Sequence, residues 1–265
     1  EGEFSLAEMA QMIESMIAEF DAAELLNRES RIASALPPAP TTTLAFPGKV
    51  VADTAHNRLL IADTNHNRLL VTSFDGAVQQ VIGTGEAGLL DGRCAEAQFH
   101  HPQGLAVDGD TMYVADTGNH TIRRVDLANG VVTTIAGTGE LARGYFSGGP
   151  ALETPLRSPW DVTLAGEMLA IAMAGNHQLW QLPLDRVSNE IRRMIGSGHE
   201  GLRDGPITGA WLAQPSGITV WHDGSALLFA DSETSAIRTA DLPGLGDGTV
   251  TTFIGEDLFD FGDID

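Results

Sequence analysis

The chain repeats itself four times, and this repetition constrains the fold more than any other feature of the sequence. Each unit opens near a proline, continues through an Ala-Asp-Thr-like turn and ends in a glycine-rich string. The opening prolines lie 55, 57 and 56 residues apart, a spacing found in propeller and solenoid repeats. These four residues are Pro47, Pro102, Pro159 and Pro215.

Each unit contains four short β-type runs separated by turn signals. In the first unit the runs lie near residues 49–52, 58–62, 68–73 and 78–82. Asp75-Gly76 predicts a tight hairpin turn before the last run, and Asn129-Gly130 stands at the same place in the second unit. A helical solenoid would need apolar residues spaced by three and four. The pattern therefore predicts an all-β propeller with four visible blades.

A different pattern precedes the repeats. Residues 1–36 are predicted to form an amphipathic helix, 37–46 a stiff proline-rich linker, and 47–265 the propeller. The methionine-bearing apolar face of the helix either binds a partner or packs on the neighbouring domain. The apolar positions recur at helical spacing; they are Leu6, Met9, Ile13, Met16, Ile17 and Phe20.

Charge and composition exclude several classes of function. The formal net charge of −21 argues against binding to nucleic acid or to an anionic membrane surface. One cysteine, Cys94, rules out an internal disulfide framework. No apolar run approaches the roughly 20 residues of a membrane span. The sequence does not define the cellular compartment, although it slightly favours the cytoplasm. It does not define the oligomeric state.

The strings ADTNHNRLLV, ADTGNHTIRRV and AMAGNHQLWQL resemble NHL repeats, a propeller family named for its Asn-His-Leu signature. The likeness covers residues 46–255. The third copy has Met173 where the others have aspartate, and the fourth copy has lost the Asn-His pair. These departures argue against a uniform ligand site in the turn.

A narrower resemblance rests on the order of helix, proline linker and FPGK, and on the strings SPWDV, IAMAGNHQLW and QPSGI. These features resemble the family that joins a thioredoxin-like domain to an NHL propeller. The resemblance implies a redox domain upstream and a six-bladed ring, so we expect this chain to lack two blades. The alternative is a closed ring of four blades. The chain itself contains no C-x-x-C motif.

The residues that follow each anchor proline are the first candidates for a binding site, because they are expected to line the mouth of the propeller channel. Lys49 and Asp161 share one repeat position two blades apart, and we expect them to face each other across the channel. The alternative is a solvated Lys49 and a packed Trp160. The predicted ligand- or partner-binding residues are Lys49, Gln103, Trp160, Asp161 and Ser216.

Three other sets of residues have alternative roles. The turn aspartates Asp63, Asp116 and Asp231 either bind a cation or accept backbone N–H groups of their own turns, and we favour the second. The histidines His120 and His177 are expected to make turn hydrogen bonds rather than a zinc site. Cys94 is a redox candidate or an inert thiol. We expect no metal and no cofactor.

The resemblance implies a non-catalytic interaction or scaffold propeller of a thioredoxin-like redox protein. It would present partners or substrates to the upstream thioredoxin-like domain, so the expected partner is a protein or that domain. The alternative is an enzyme of lyase or lactonase type, with a metal or polar site in the channel. For this segment we favour the absence of catalysis.

Overall fold

The computed structural model describes residues 6–26, 42–144, 147–185, 189–242 and 248–255. The chain divides into two compact units, residues 1–41 and 42–265. Within the described part of the first unit there is one helix, α1 (Leu6–Ala22). No described helix has the length and apolar character that a membrane span requires.

Helix α1 ends well before residue 36, the boundary that the sequence predicted. Glu24 adopts a left-handed conformation with a φ of 56°. The N–H of Leu25 donates to the carbonyl of Phe20, and the N–H of Glu24 donates to that of Asp21. This pair of bonds is a Schellman cap, which ends a helix without proline. The prolines of the predicted linker, Pro37, Pro38 and Pro40, lie outside the described residues. Met9, Ile13, Met16, Ile17 and Phe20 are between 39% and 47% exposed.

The second unit is a propeller of four antiparallel blades, which confirms the predicted fold and strand pattern. Blade one contains β1 (Lys49–Asp53), β2 (Arg58–Asp63), β3 (Arg68–Thr72) and β4 (Val78–Ile82). A short strand β5 (Gly92–Arg93) precedes blade two, which contains β6 (Pro102–Asp108), β7 (Thr111–Asp116), β8 (Thr121–Asp126) and β9 (Val131–Ala136).

Blades three and four have the same order. Strand β10 (Gly148–Pro150) precedes blade three, which contains β11 (Pro159–Ala165), β12 (Met168–Met173), β13 (Gln178–Pro183) and β14 (Glu190–Ile195). Strand β15 (Gly205–Pro206) precedes blade four, which contains β16 (Pro215–Val220), β17 (Ala226–Asp231), β18 (Ala236–Asp241) and β19 (Thr249–Ile254). A ring of six blades stays a prediction.

The glycine-rich sequences between the units, such as residues 83–100, predict surface loops, and the structure differs from this prediction. Each of these connectors contributes a short fifth strand, which pairs antiparallel with the outermost strand of the following blade. In this way β5 pairs with β9, β10 with β14, and β15 with β19. The connector between blades one and two also buries Phe99, which is fully inaccessible to solvent. The connectors therefore belong to the packed structure.

The hydrophobic core lies between neighbouring blades, in three separate clusters. Between blades one and two, Leu60 and Leu69 pack with Leu105, Met112 and residues of the intervening connector. Equivalent clusters fill the spaces between blades two and three and between blades three and four. Because one face of each sheet packs on the next blade, the apolar residues of a blade are buried only when its neighbour is in place.

The innermost strands of the four blades line one side of a central channel. Among the described residues β1 packs beside β6, β6 beside β11, and β11 beside β16. They line an open cavity of about 440 Å³. The cavity walls are formed by Val51, Leu105, Val107, Val162, Ile218 and Thr219, among others.

Candidate functional site

The turns that follow the second strand of blades one, two and three link each of these blades to the next one. We call them the signature turns. In each, a side chain accepts a hydrogen bond from the following blade. The last turn residue, at Asn67, His120 and His177, is left-handed with a φ between 48° and 53°. Asn67 Oδ1 accepts the N–H of His101 at 3.0 Å. His120 Nδ1 accepts the N–H of Ser158 at 3.2 Å, and His177 Nδ1 accepts that of Gln214 at 3.2 Å. The predicted hydrogen bonds of the histidines thus exist, but they cross to the following blade.

A threonine hydroxyl makes a second link between blades. Thr64 Oγ1 donates to the carbonyl of Pro102 at 2.7 Å, and Thr117 Oγ1 donates to the carbonyl of Pro159 at 2.6 Å. Blade three has Ala174 at this position and makes no such bond, because alanine has no hydroxyl. Pro102 and Pro159 are therefore held at the start of their innermost strands by the turn of the preceding blade.

The turn aspartates are buried acceptors, but their backbone partners lie in the preceding connector and not in their own turn, as the sequence had suggested. Asp63 Oδ1 accepts the N–H of Ala45 at 2.7 Å. Asp116 Oδ1 accepts the N–H of His100 at 2.8 Å, and Asp231 Oδ1 accepts a connector N–H in the same way. These carboxylates attach connectors to blades.

A buried arginine completes this arrangement in blades two and four. The Arg123 guanidinium lies 2.8 Å from Asp116 and 2.8 Å from Asp91 of the connector, and it has no solvent exposure. Arg238 makes the same pair of contacts in blade four. Burial raises the pKa of Asp116, and the Arg123 charge and the hydrogen bonds to the carboxylate oppose this effect. An aspartate with these partners is occupied structurally and offers no open coordination site.

Blade three replaces this ion pair by an apolar pair. Met173 stands where blade two has Asp116, and Trp180 stands where blade two has Arg123. Both belong to the core between blades two and three, with Trp180 only 1% exposed. The Trp180 indole N–H donates to Gln178 Oε1 at 2.9 Å, which satisfies the one polar atom. Blade three thus replaces both members of the ion pair. Met173 stands in place of the aspartate, and seven residues later Trp180 stands in place of the arginine.

At the channel mouth the structure brings Lys49 and Asp161 together. Lys49 Nζ lies 2.5 Å from Asp161 Oδ2, across the channel from blade one to blade three. The same carboxylate oxygen accepts the N–H of Ile218 in blade four at 3.0 Å, and Oδ1 accepts the N–H of Val162 at 2.8 Å. Burial raises the pKa of Asp161 and the Lys49 ammonium opposes it. One carboxylate thus connects three blades.

The other predicted residues lie near the start of the innermost strands β6, β11 and β16. Trp160 is 38% exposed. It is therefore not packed in the interior, as the alternative to a binding site would require. A β-carbon at Gly104 would collide with the backbone of Asp161, which explains a glycine at this position. Ser216 bonds to the Ser232 hydroxyl, and the Gln103 side chain lies against Gly48. We call Lys49, Gln103, Trp160, Asp161 and Ser216 the channel mouth.

Cys94 lies in the core between blades one and two and is 6% exposed. Burial raises the pKa of its thiol, and the charge of Asp126 adds to this effect. A reactive cysteine needs an accessible thiolate that neighbouring positive charge stabilises. The location therefore favours the inert role over the redox role.

Two arrangements were not found from the sequence. Glu200 and Glu233 are hydrogen-bonded between a connector and the turn of blade four, and this contact raises the pKa of Glu233 to about 7. Gln214 also donates to Glu233. No local sequence pattern predicts this pair, because the other three turns have a different residue type at the position of Glu233.

The second arrangement duplicates the signature at the opposite end of β2, where ADTAHNRLL precedes ADTNHNRLL. Asp53 accepts from His56 Nδ1 at 2.9 Å and from Arg58 Nε at 2.8 Å. Burial opposes ionisation, but these hydrogen bonds outweigh it and hold the pKa of Asp53 below its ordinary value. Arg58 also donates to the carbonyl of Gly109 in blade two at 2.7 Å. The repeat in the sequence letters could have revealed this turn.

Within the described residues, no group of three or more histidine, cysteine, aspartate or glutamate side chains is arranged to hold a metal ion. The described carboxylates of the signature turns are instead bonded to backbone N–H groups and to arginine, as shown above. At the channel mouth, by contrast, Trp160 is partly exposed and Lys49 keeps part of its side chain in solvent.

Comparisons with known proteins agree with the repeat and the fold. A family model of the NHL repeat matches residues 99–125. NHL repeat-containing protein 2 of Bos taurus is 41% identical over 255 residues, which cover 87% of this chain and 34% of that protein. Protein SUPPRESSOR OF QUENCHING 1, chloroplastic, of Arabidopsis thaliana is 41% identical over 240 residues, which cover 86% of this chain and 22% of that protein.

The chain thus spans about a third of the length of its animal relative and less of its plant relative. A solved structure from Bacteroides thetaiotaomicron, of unknown function, superposes with a TM-score of 0.56 at 19% identity. The superposition covers 79% of this chain and 48% of that chain, and it supports the fold alone. Sequence and fold together place this chain among the NHL-repeat β-propellers, related to NHL repeat-containing protein 2 and to SUPPRESSOR OF QUENCHING 1.

Proposed function

We propose that this propeller is a non-catalytic interaction scaffold, which presents a partner or substrate protein to a thioredoxin-like domain upstream in a longer protein. The observation that carries the proposal is the channel mouth, where Trp160 is 38% exposed and the next residue in the chain, Asp161, pairs with Lys49. The relatives that the chain matches at 41% identity are about three to four times its length, which leaves room for another domain.

The roles of the charged groups favour a scaffold over an enzyme. A catalytic acid or base must exchange protons with a substrate, so at least one of its oxygens or nitrogens has to be accessible to it. Asp116 is instead buried among an arginine, an asparagine and a backbone N–H. Asp161 is bonded to Lys49 and to two backbone N–H groups. These groups hold blades in position.

Aromatic and polar groups at the channel mouth suit recognition of a protein. A tryptophan that is partly exposed on a rigid strand is a common anchor of protein interfaces, because it buries a large area at small entropic cost. The net charge of −21 favours a partner whose contacting surface is basic. The proposed partner is therefore a protein segment that covers Trp160 and carries lysine or arginine beside it.

Trapping of mixed disulfides in the intact longer protein tests the proposal. The resolving cysteine of the thioredoxin-like domain is replaced by serine, and the proteins that remain covalently bound are identified. We expect Trp160→Ala to reduce their yield by about tenfold, a loss typical of an interface anchor. Phe74→Ala is the matched control, because Phe74 is 46% exposed in a hairpin of blade one. Equal yields from all variants would contradict the proposal.

The cavity of about 440 Å³ favours a second candidate, an enzyme with a polar site in the channel. Its volume suits a small molecule, and Lys49 and Asp53 lie in its wall. Native mass spectrometry of the purified protein distinguishes the two candidates. A stoichiometric small molecule or metal ion that survives dialysis, and that is lost in Lys49→Ala, would support the second one.

A further inference from the structure

A second cavity, of about 460 Å³, lies between blades two and three. It is at the end of the sheets opposite the signature turns, since Thr111 in its wall begins β7 and Asp116 at the signature turn ends it. Blade one packs against the other face of blade two, and blade four against the other face of blade three. Both walls therefore belong to blades that have described neighbours on each side. The wall residues on which the inference depends are Tyr113, Arg124, Asp126, Ile135, Leu182 and Leu184.

The repeat shows that two of these wall residues are unusual. Tyr113 and Arg124 face each other across β7 and β8. In blade one the equivalent pair is Leu60 and Val71, and both belong to the core between blades one and two. Arg124 is instead exposed in the cavity wall. Packing of one blade on the next therefore does not require a tyrosine and an arginine at these two positions.

Blades three and four also lack a charge at the position of Arg124. The equivalent residue is Gln181 in blade three, which is 6% exposed, and Thr239 in blade four, which is partly buried. Among the four equivalent residues, Arg124 alone is charged and exposed. The arginine is thus a feature of the cavity between blades two and three and not of the repeat.

The guanidinium of Arg124 has no hydrogen-bond or ion-pair partner among the residues that the structure describes. Asp126 stands two residues later on β8, but its carboxylate accepts the N–H of Asn129 at 2.8 Å and the Asn129 amide at 2.9 Å. These hydrogen bonds hold the pKa of Asp126 below its ordinary value, and the charge of Arg124 adds to this effect. The cavity therefore presents an arginine with available donors beside an ionised carboxylate.

Backbone hydrogen bonds hold the wall of blade three in place. The N–H of Leu184 donates to the carbonyl of Glu167 at 2.9 Å. The N–H of Ala151, in the connector, donates to the carbonyl of Asn189 at 2.7 Å. Ala151 and Asn189 also line the cavity. A pocket whose walls are fixed in this way is preformed, so a ligand need not order them.

We propose that this cavity binds a small organic molecule in which a single carboxylate is joined to an aromatic body. A guanidinium binds a carboxylate through two parallel hydrogen bonds, and the Tyr113 ring and the side chains of Leu182 and Leu184 would contact the body. The volume is within the range of small-molecule sites. Asp126 disfavours a second negative charge, which argues against inorganic phosphate or a dicarboxylate. The site lies apart from the channel mouth and does not depend on the proposed scaffold role.

Ligand-observed NMR titrations of the 265-residue chain test the inference. The probe is 3-phenylpropionate, and 3-phenylpropanamide is the matched neutral molecule. We expect saturable binding of the acid and binding at least about tenfold weaker for the amide, because hydrogen bonds between charged groups are stronger. Benzylmalonate adds a second carboxylate to the same body, and we expect it also to bind more weakly than 3-phenylpropionate.

Protein variants locate the site. Arg124→Met should weaken binding of 3-phenylpropionate about tenfold or more. Arg93→Met is the matched control, since Arg93 is exposed on the connector strand β5, and we expect unchanged affinity. In methyl-labelled protein the probe should shift the signals of Ile135, Leu182 and Leu184. Absence of saturable binding, equal affinity of acid and amide, equal affinity of Arg124→Met and wild type, or shifts confined to the central channel would overturn the inference. So would binding of benzylmalonate as tight as that of 3-phenylpropionate.

Discussion

Lys49 in blade one and Asp161 in blade three form an ion pair of 2.5 Å, although 112 residues separate them along the chain. Asp161 is buried while Lys49 is 30% exposed, so the lysine compensates a charge that water cannot reach. Lys49→Met would leave that carboxylate buried without a counter-ion. We expect a loss of about 1–2 kcal/mol of unfolding free energy, below the full value for a buried pair because the lysine is partly hydrated.

Urea unfolding of Lys49→Met and Lys49→Arg measures this effect. The arginine variant keeps the charge and should lose much less stability. An unfolding free energy of Lys49→Met equal to that of the wild type would show that the ion pair does not contribute.

The ion pair of Arg123 and Asp116 predicts a large effect and its compensation. Arg123→Met strands a fully buried carboxylate, so we expect a loss of about 3–5 kcal/mol. The double variant Asp116→Met with Arg123→Trp copies blade three and should recover much of that loss. Arg124→Met, on the next and exposed residue, is the control and should change stability by less than about 0.5 kcal/mol. Additive losses in the double variant would contradict the equivalence of the two pairs.

The bond of His177 predicts a stability that falls in acid. Because Nδ1 accepts the N–H of Gln214, the ring must be unprotonated there. Burial lowers the pKa of His177, and Arg157 adds to this against the effect of Glu200. The contribution is thus complete above the ordinary pKa of 6.5 and is lost as pH falls below it. His177→Asn, which copies Asn67, should remove this loss in acid, so that its Tm at pH 5 relative to that at pH 7 is higher than in the wild type, whereas His222→Asn should leave this difference unchanged.

Glu233 predicts a dependence on pH of the opposite sign. Its hydrogen bond with Glu200 raises its pKa to about 7, so the folded state holds this proton more tightly than the unfolded chain does. The stabilisation is complete below the ordinary pKa of 4.5 and is lost as pH rises to about 7. Glu233→Gln should therefore raise the Tm at pH 8 relative to the wild type. In the His177→Asn protein, which keeps Glu233, a Tm that does not fall between pH 5 and 7.5 would refute this.

Cys94 predicts slow thiol chemistry. Its burial and raised pKa both reduce the fraction of accessible thiolate. Reaction with a disulfide reagent should be at least about a hundredfold slower in the native protein than in urea. Rapid labelling of the native protein would restore Cys94 as a redox candidate.

The blade pattern could be predicted from the sequence because it is local. Strand alternation and the Asp75-Gly76 turn reflect neighbouring residues, and the regular spacing of the prolines shows that the same local pattern recurs. The facing of Lys49 and Asp161 followed from a shared repeat position, since equivalent residues of successive blades point toward one axis. Their binding role stays a prediction.

Other contacts depend on packing that a linear pattern does not contain. The partners of Asp116 and His177 lie in a connector and in the next blade, and no spacing rule identifies them. The connectors were mistaken for surface loops because their strands have two or three residues, too few for a periodic signal. The end of α1 was missed because a Schellman cap with Glu24 lacks the usual glycine.

The carboxylate shared by three blades also determines how the propeller can open. Links between successive blades alone would make a linear array, in which an end unit frays without affecting units beyond its neighbour. Asp161 adds a coupling that skips a blade, because departure of blade one removes the counter-ion of a buried charge in blade three. Blades one to three therefore form one cooperative unit, in which slow hydrogen exchange should rise and fall together.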